Sequence, residues 1–295
     1  MEKCEKRKEG DRLGLVLEGG AMRGLYTAGV LDVLLEQGIQ ADTVLGVSAG
    51  AIHGCSYVSG QGGRSIRYYE KYRGDRHFMG LYCLLTTGDM VGRKFCYEEL
   101  PLRLDPFDEA AFEASPMDFY VTTTNLLTGK AEYVLCKELR PGAGMEYIRA
   151  GASMPLASRI VRIGGVPYLD GGVADSIPYA AAGRLGCGPR IVVLTRAAGY
   201  RKEPAKMGIF NAFYKKYPNF LRAMAGRYAM YNAEVSLVEH AAARGEAFLL
   251  RPSRDLQVSR MEKDVGKLRA LYELGRADTL AQLPALRGYL HKNGR

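Results

Sequence analysis

Two short apolar runs open this chain, each ending on glycines and each followed by a helical pattern. They restrict its fold more than any other feature. The first, Leu13–Leu17, leads into Glu18-Gly19-Gly20-Ala21-Met22-Arg23-Gly24, with three glycines in seven residues. From Leu25 to Gly38 apolar residues recur at helical spacing, and Gly38 is placed as a C-terminal stop. The second run, Asp42–Gly46, ends on Gly46-Val47-Ser48-Ala49-Gly50. Strand, glycine loop, helix, strand, sharp turn, helix is the order of a parallel sheet, whose neighbouring strands need crossover helices rather than hairpins. Later apolar runs at 117–125, 131–136, 159–163, 166–172 and 190–196 read as further strands, with Leu127–Gly129 as a hairpin turn. From about Met207 the pattern is mainly helical, broken at Glu246–Pro252 by a last strand-like run.

There is no internal repeat and no low-complexity linker. The simplest organisation is a core over 13–200 with a mainly helical extension over 201–295 packed on it. A strand near 246–251 is available to join the core sheet. Residues 1–12 are charged throughout and read as a disordered tail.

Ser48 sits at the sharpest point of this pattern. In Gly46-x-Ser48-x-Gly50 a strand ends, the chain turns and a helix starts at Ala49, a nucleophile-elbow pattern in which the glycines remove side chains that would clash. The glycine loop Gly19-Gly20-Ala21-Met22-Arg23-Gly24 exposes several backbone N–H groups at the same sheet edge, which suits a negative charge. The dinucleotide pattern fails because position 21 is alanine, and no Lys-Ser/Thr follows as in a P-loop. An oxyanion of acyl transfer, held by the loop and by the Ala49 N–H, fits better than a phosphate. A tight strand–helix turn serving only close packing is the plain alternative. Asp170 ends the run Tyr168-Leu169-Asp170-Gly171-Gly172. A carboxylate in reach of a serine can take its proton, and Asp-Gly is also an ordinary strand-ending turn.

The four segments LEGGAMRG, GVSAG, GASMPLA and LDGGVADSIP, in this order, resemble the patatin-like phospholipase family. The later stretches RYAMYNAE, RPSRDLQVSRMEKD and KLRALYELGRAD resemble the C-terminal region of a bacterial cytoplasmic branch of it. The resemblance implies a three-layer α/β/α sandwich with a mostly parallel central sheet. It also implies a Ser48–Asp170 dyad without histidine, with Gly19, Gly20, Ala21 and Arg23 around an oxyanion loop. The implied reaction is hydrolysis of lipid acyl esters without calcium or another cofactor. Two positions depart from the family pattern: Ala21 replaces a third glycine, and Ser176 stands where asparagine is common. Two alternatives share these residues, an acyltransferase with the same nucleophile and a lipid-binding protein of weak activity.

A triad with histidine fits poorly. His53 lies five residues past Ser48 on the elbow helix, His77 is in a charged stretch, His240 falls in a helical pattern and His291 is near the terminus. No apolar run reaches the length of a membrane span, and the N-terminus has no secretory signal pattern. The six cysteines show no metal-ligand or C-x-x-C spacing, so a reducing cytoplasm is expected, with disulfides and bound metal unexpected.

Charge is lopsided. Residues 196–295 carry 19 Lys/Arg against 9 Asp/Glu, and the rest of the chain is close to neutral. Within this basic third, Lys206–Tyr231 holds five basic residues, no acidic ones and many aromatics. Such a segment suits peripheral contact with an anionic membrane. The competing reading is a lid or buttress over the site, favoured because aromatics at helical spacing are usually core. A nucleic-acid partner is not expected. The Tyr-rich stretch Ser65–Leu85 is a candidate lining for an acyl pocket, or an ordinary helix pair.

Overall fold

Strand β1 (Arg12–Leu17) sends Leu13, Leu15 and Leu17 into one hydrophobic cluster and Val16 into another, the period-2 pattern of a strand covered on both faces. The structure, a computed structural model, describes residues 10–140 and 142–295. A turn of 3-10 helix (Ala21–Arg23) leads into α1 (Gly24–Glu36), then β2 (Thr43–Val47) and α2 (Ala49–Val58). Helices α3 (Arg64–Tyr72) and α4 (Leu81–Thr87), a π-helical segment (Phe95–Leu104) and α5 (Glu109–Ala114) precede the hairpin of β3 (Asp118–Asn125) and β4 (Ala131–Leu135). Helix α6 (Gly144–Gly151), β5 (Val161–Ile163), β6 (Val166–Asp170), α7 (Tyr179–Arg184) and β7 (Cys187–Val193) follow. The last third contributes α8 (Met207–Phe213), α9 (Pro218–Ala243), β8 (Ala247–Leu250) and α10 (Val265–Lys292).

The sheet pairs in the order β5-β6-β3-β2-β1-β7-β8, with β4 also on β3. Strands β3, β2, β1, β7 and β8 are mutually parallel, whereas β4, β5 and β6 run antiparallel to their partners. One face is covered by the large cluster that includes Leu25 and Leu31 of α1, Tyr57 of α2 and Leu268 and Leu271 of α10. The other face is covered by Ala181 and Ala182 of α7 and by Tyr231, Val235 and Val238 of α9. The result is the three-layer α/β/α sandwich with a mostly parallel sheet.

The C-terminal third is built into this core. Strand β8 pairs in parallel with β7, placing Ile191 opposite Phe248 and Val193 opposite Leu250. Helix α10 lies against α1 at a backbone-to-backbone crossing. A side chain at Gly29 would meet the Tyr272 carbonyl oxygen at 2.1 Å, and one at Gly275 would meet the Tyr26 carbonyl oxygen at 2.2 Å. The Tyr272 hydroxyl donates to Asp32 at 2.6 Å beside the same crossing.

Part of the segment expected as a tail is structured. Arg12 is already the first residue of β1, and the Gly10 amide donates to the Gly186 carbonyl at 3.1 Å. Residues 1–9 of the expected tail lie outside the described residues.

The α1–α10 crossing has a measurable consequence. Gly29→Ala or Gly275→Ala forces the two backbones apart, so urea unfolding should show a loss of about 1–3 kcal/mol, the usual cost of overpacking. An alanine at exposed Gly226, where nothing stands within 4 Å of the new methyl group, should show no comparable loss.

Candidate active site

Register in the sheet brings two distant residues together. Thr122 of β3 pairs with Val47 on one side and Tyr133 on the other, and Thr123 pairs with Glu132 and Asp170. Because β4 occupies one edge of β3, β2 and β6 must share the opposite edge. Strand β2 runs up that edge and stops at Val47, and β6 runs down it and stops at Asp170. The next residue after Val47 is Ser48, so the two ends meet. The Ser48 hydroxyl donates to Asp170 Oδ2 at 2.6 Å, with both side chains buried.

Each partner is held by local geometry. Ser48 has φ +53° and ψ −121°, outside the relaxed regions for a side-chain-bearing residue. The turn is possible only because the chain beside it carries no side chains. A Cβ at Gly46 would sit 2.4 Å from Ala51 Cα, and one at Gly50 would sit 2.5 Å from the Leu17 carbonyl oxygen. Asp170 Oδ1 accepts from the Gly172 amide at 2.8 Å, its amide donates to the Ser153 carbonyl at 2.8 Å, and its carbonyl accepts from Thr124 Oγ1 at 2.8 Å. Gly171 crosses directly over Thr122, where a Cβ would stand 2.2 Å from the carbonyl oxygen.

The loop after β1 lies against this pair. Gly19 faces the Ser48 side chain and Gly20 faces Thr195, each too closely for a Cβ. Ala21 adopts φ +49°, a conformation in which glycine would be at ease. Among the described residues no protein acceptor takes the amide hydrogens of Gly20, Ala21 or Ala49. These donors stand at the sheet edge and at the N-terminus of α2, where the helix dipole is positive.

Two cavities meet at Ser48. One, of about 110 Å³, is apolar and lined by Tyr68, Tyr69, Phe78, Leu100, Met145 and Ile148 among others. The stretch Ser65–Leu85 thus contributes Tyr68, Tyr69 and Phe78 to this cavity, whereas Tyr72 and Tyr82 do not line it. The other, of about 280 Å³, holds Asp170 and Glu18 together with Arg23, Arg196, Lys202, Arg227 and Arg260. Ala21, Ser48 and Met154 line both. Arg23 is buried, and burial with the facing Arg196 and Arg260 pulls its guanidinium down to about 10.

The segment Lys206–Tyr231 divides in two. Tyr214, Phe220 and Met224 are buried with Leu126, Leu169 and Val173, and Lys206, Lys215, Lys216 and Arg222 are exposed. Arg227 does not belong with the exposed lysines. It turns inward, donates from Nε to the Gly172 carbonyl at 2.6 Å and lines the cationic cavity. The same carbonyl accepts from Ser176 Oγ at 2.8 Å, which gives Ser176 a place in the loop after Asp170. Sequence patterns alone missed Arg227, Lys202 and Glu18 as site residues; the excess of positive charge after residue 195 was the available signal.

None of the four histidines lines either cavity. His53 is buried, bonded through Nδ1 to Ser65 Oγ at 2.9 Å, and burial pushes it down to about 3. His77 bonds Asp75, and His240 bonds the Ser236 carbonyl on an exposed helix face.

A serine held against a carboxylate at the strand ends of an α/β/α sandwich, with free amides beside it, is an arrangement suited to opening an ester bond. A family model described as patatin-like phospholipase matches residues 15–182, and the chain belongs to that family. A second model, described as a domain of unknown function (DUF6363), matches residues 217–291. The uncharacterized protein YjjU of Escherichia coli strain K12 is 26% identical over 280 residues, covering 90% of this chain and 75% of that protein. The lysophospholipase nte1 of Aspergillus terreus is 32% identical over 184 residues, 60% of this chain but 11% of its own length. That of Emericella nidulans is 32% identical over 193 residues, 63% of this chain and 12% of its own. Among the described residues no helix is long and apolar enough to cross a membrane.

Behind the loop after Asp170, the amides of Ser176 and Ile177 donate to Glu234 Oε2 at 3.2 and 3.0 Å, and the Tyr133 hydroxyl donates to Asp175 at 2.5 Å. Burial first, and then the facing carboxyl group, push Glu234 above the ordinary carboxylate range, and burial raises Asp175 as well. The pair therefore keeps a proton that the unfolded chain has already released. Its stabilisation is complete below the ordinary glutamate value and is lost as pH rises toward the raised one. Glu234→Gln preserves the acceptor and supplies a fixed donor to Asp175. It should flatten the fall in melting temperature between about pH 5 and 8, read by circular dichroism in a pH series.

Proposed function

We propose that the protein hydrolyses the acyl ester of a lipid, with Ser48 as nucleophile and Asp170 as its base. The observation that carries this reading is the 2.6 Å hydrogen bond between them at the junction of an apolar and a cationic cavity. As Ser48 Oγ bonds to the ester carbonyl carbon, its proton passes to Asp170 Oδ2. The carbonyl π pair moves onto oxygen, where the amides of Gly20, Ala21 and Ala49 receive the negative charge. Collapse breaks the carbon–alkoxide bond, and the alcohol leaves with the proton held on Asp170. Water then repeats the sequence on the acyl-serine, giving a fatty acid and restoring the hydroxyl.

The two cavities suit the two halves of such a substrate. The acyl chain enters the pocket of Tyr68, Tyr69 and Phe78, and the alcohol half faces the arginines. The lysophospholipases among the relatives support the substrate class. The free amides beside Ser48 cost little to leave open to water and gain most when an oxyanion forms, which is the property an oxyanion hole requires.

A fluorophosphonate probe should add one adduct to the intact mass, located on Ser48 by peptide sequencing and absent from Ser48→Ala. Failure of wild-type protein to label would exclude an activated serine here. Ser48→Ala and Asp170→Asn should each reduce ester turnover by about three orders of magnitude or more with an unchanged far-ultraviolet circular dichroism spectrum. Replacing His77, His240 and His291 by alanine and His53 by glutamine should retain most of the activity. Loss of turnover from any one of these histidine changes, in folded protein, would refute the dyad.

Ala21 offers a further check, because it lines both cavities beside Ser48. Ala21→Gly keeps the amide and releases the left-handed strain, so stability should hold or rise slightly in thermal unfolding. Ala21→Val puts a branched side chain at φ +49° in the lining of both cavities, and should lower both stability and turnover.

A further inference from the structure

The cavity beside Asp170 carries more positive charge than its own carboxylates can balance. Arg23, Arg196, Lys202, Arg227 and Arg260 line it, against Glu18 and Asp170. Both carboxylates are already occupied. Glu18 accepts from the Thr195 amide at 2.5 Å and the Tyr231 hydroxyl at 2.9 Å, and Asp170 accepts from Ser48 and Gly172. Among the described residues, none of Arg23, Lys202, Arg227 and Arg260 forms an ion pair within 4 Å, and Arg196 reaches only an exposed aspartate, Asp255, at 4.0 Å. Arg23 Nε is buried without any hydrogen-bond partner. Burying cations that repel one another is costly unless an anion joins them.

We propose that this cavity binds a terminal phosphate on the alcohol half of the ester, so that the substrates are acyl esters of a short polyol phosphate, such as an acylglycerol phosphate. The proposal rests on the acyl-ester reading above. Several cations of different reach suit a compact dianion, which offers three acceptor oxygens to guanidinium and ammonium donors. A quaternary ammonium head group is disfavoured on two grounds. No carboxylate is left to pair with it, and two of the three aromatic rings lining the cavity already carry cations: Lys202 Nζ stands 4.0 Å from the Tyr231 ring and the Arg196 guanidinium 4.2 Å from the Tyr200 ring, which leaves Phe210 alone where a cation cage needs several faces. Position ties the anion to the substrate, because Ser48, Asp170 and Gly172 line the same cavity as the arginines. Of these cations, Arg196, Lys202, Arg227 and Arg260 all lie beyond residue 182, where the match to the catalytic family model ends.

The test compares three esters of one acyl chain below their micelle concentrations: an acylglycerol, its 3-phosphate and its phosphocholine. The phosphate ester should show kcat/KM about tenfold or more above the other two, through KM. Lys202→Gln and, separately, Arg260→Gln at the exposed mouth should bring that preference close to unity, and Lys202→Arg should restore most of it. In parallel, sn-glycerol 3-phosphate should raise the melting temperature of Ser48→Ala protein, and glycerol should not. Equal turnover of neutral and phosphate esters, without such a thermal shift, would overturn the anion site while leaving the hydrolase intact. No turnover of any ester, with the thermal shift present, would refute the hydrolase and retain the anion site. Inorganic phosphate stabilising as strongly as glycerol 3-phosphate, with no preference among the esters, would assign the cavity to free phosphate and overturn the head-group assignment.

Discussion

The end-to-end meeting of β2 and β6 on one edge of β3 governs the rest of the molecule. A parallel strand and an antiparallel strand cannot both occupy that edge unless each stops where the other begins. They stop at Val47 and Asp170, opposite adjacent residues of β3. This fixes the Ser48–Asp170 distance through backbone hydrogen bonds rather than through flexible side chains, which is how a scaffold holds a reacting pair in one geometry. The chain then has to leave both ends in tight quarters, and the glycines at 46, 50 and 171 are the places where it does so.

What could be read from sequence follows from how local each feature is. The strand–loop–helix–strand–elbow opening, the later strands and the residues Ser48, Asp170 and Ala21 are all written in contiguous segments, so period and motif reach them. The α1–α10 crossing is not local: Gly29 and Gly275 are ordinary helix glycines until each is seen facing the other helix's carbonyl. Arg227 shows the same limit. On a helix with basic residues scattered around it, composition cannot tell which one turns inward, and Arg227 is held there by the Gly172 carbonyl from another element. Ser176, read as a support of the loop after Asp170, donates to the Gly172 carbonyl four residues earlier, but the Arg227 that shares this carbonyl comes from a distant helix and is not written in the motif.

The two cavities divide the electrostatics of the site. On the apolar side the ring-lined pocket offers mainly aromatic and aliphatic side chains to a ligand beside Ser48. On the other side, cations gather behind Asp170, and the hydrogen bond from Gly172 keeps its second oxygen occupied. A carboxylate between a serine and a basic cavity stays oriented without a third residue such as histidine to fix it.

The placement of α10 has a consequence for synthesis. Helix α1 ends at Glu36, yet the face it turns to Leu268, Leu271 and Gly275 has no cover from α10 until the chain has passed residue 275. Strand β7 likewise waits for β8 to close its outer edge. Contacts of such long sequence separation form late and leave apolar surface open in the meantime. On the ribosome, the segments that carry Ser48 and Asp170 would be complete well before α10, which covers α1. An emerging chain therefore carries the bare side of α1 until α10 has been made, and the interval between the two is set by the rate at which residues 200–265 are added.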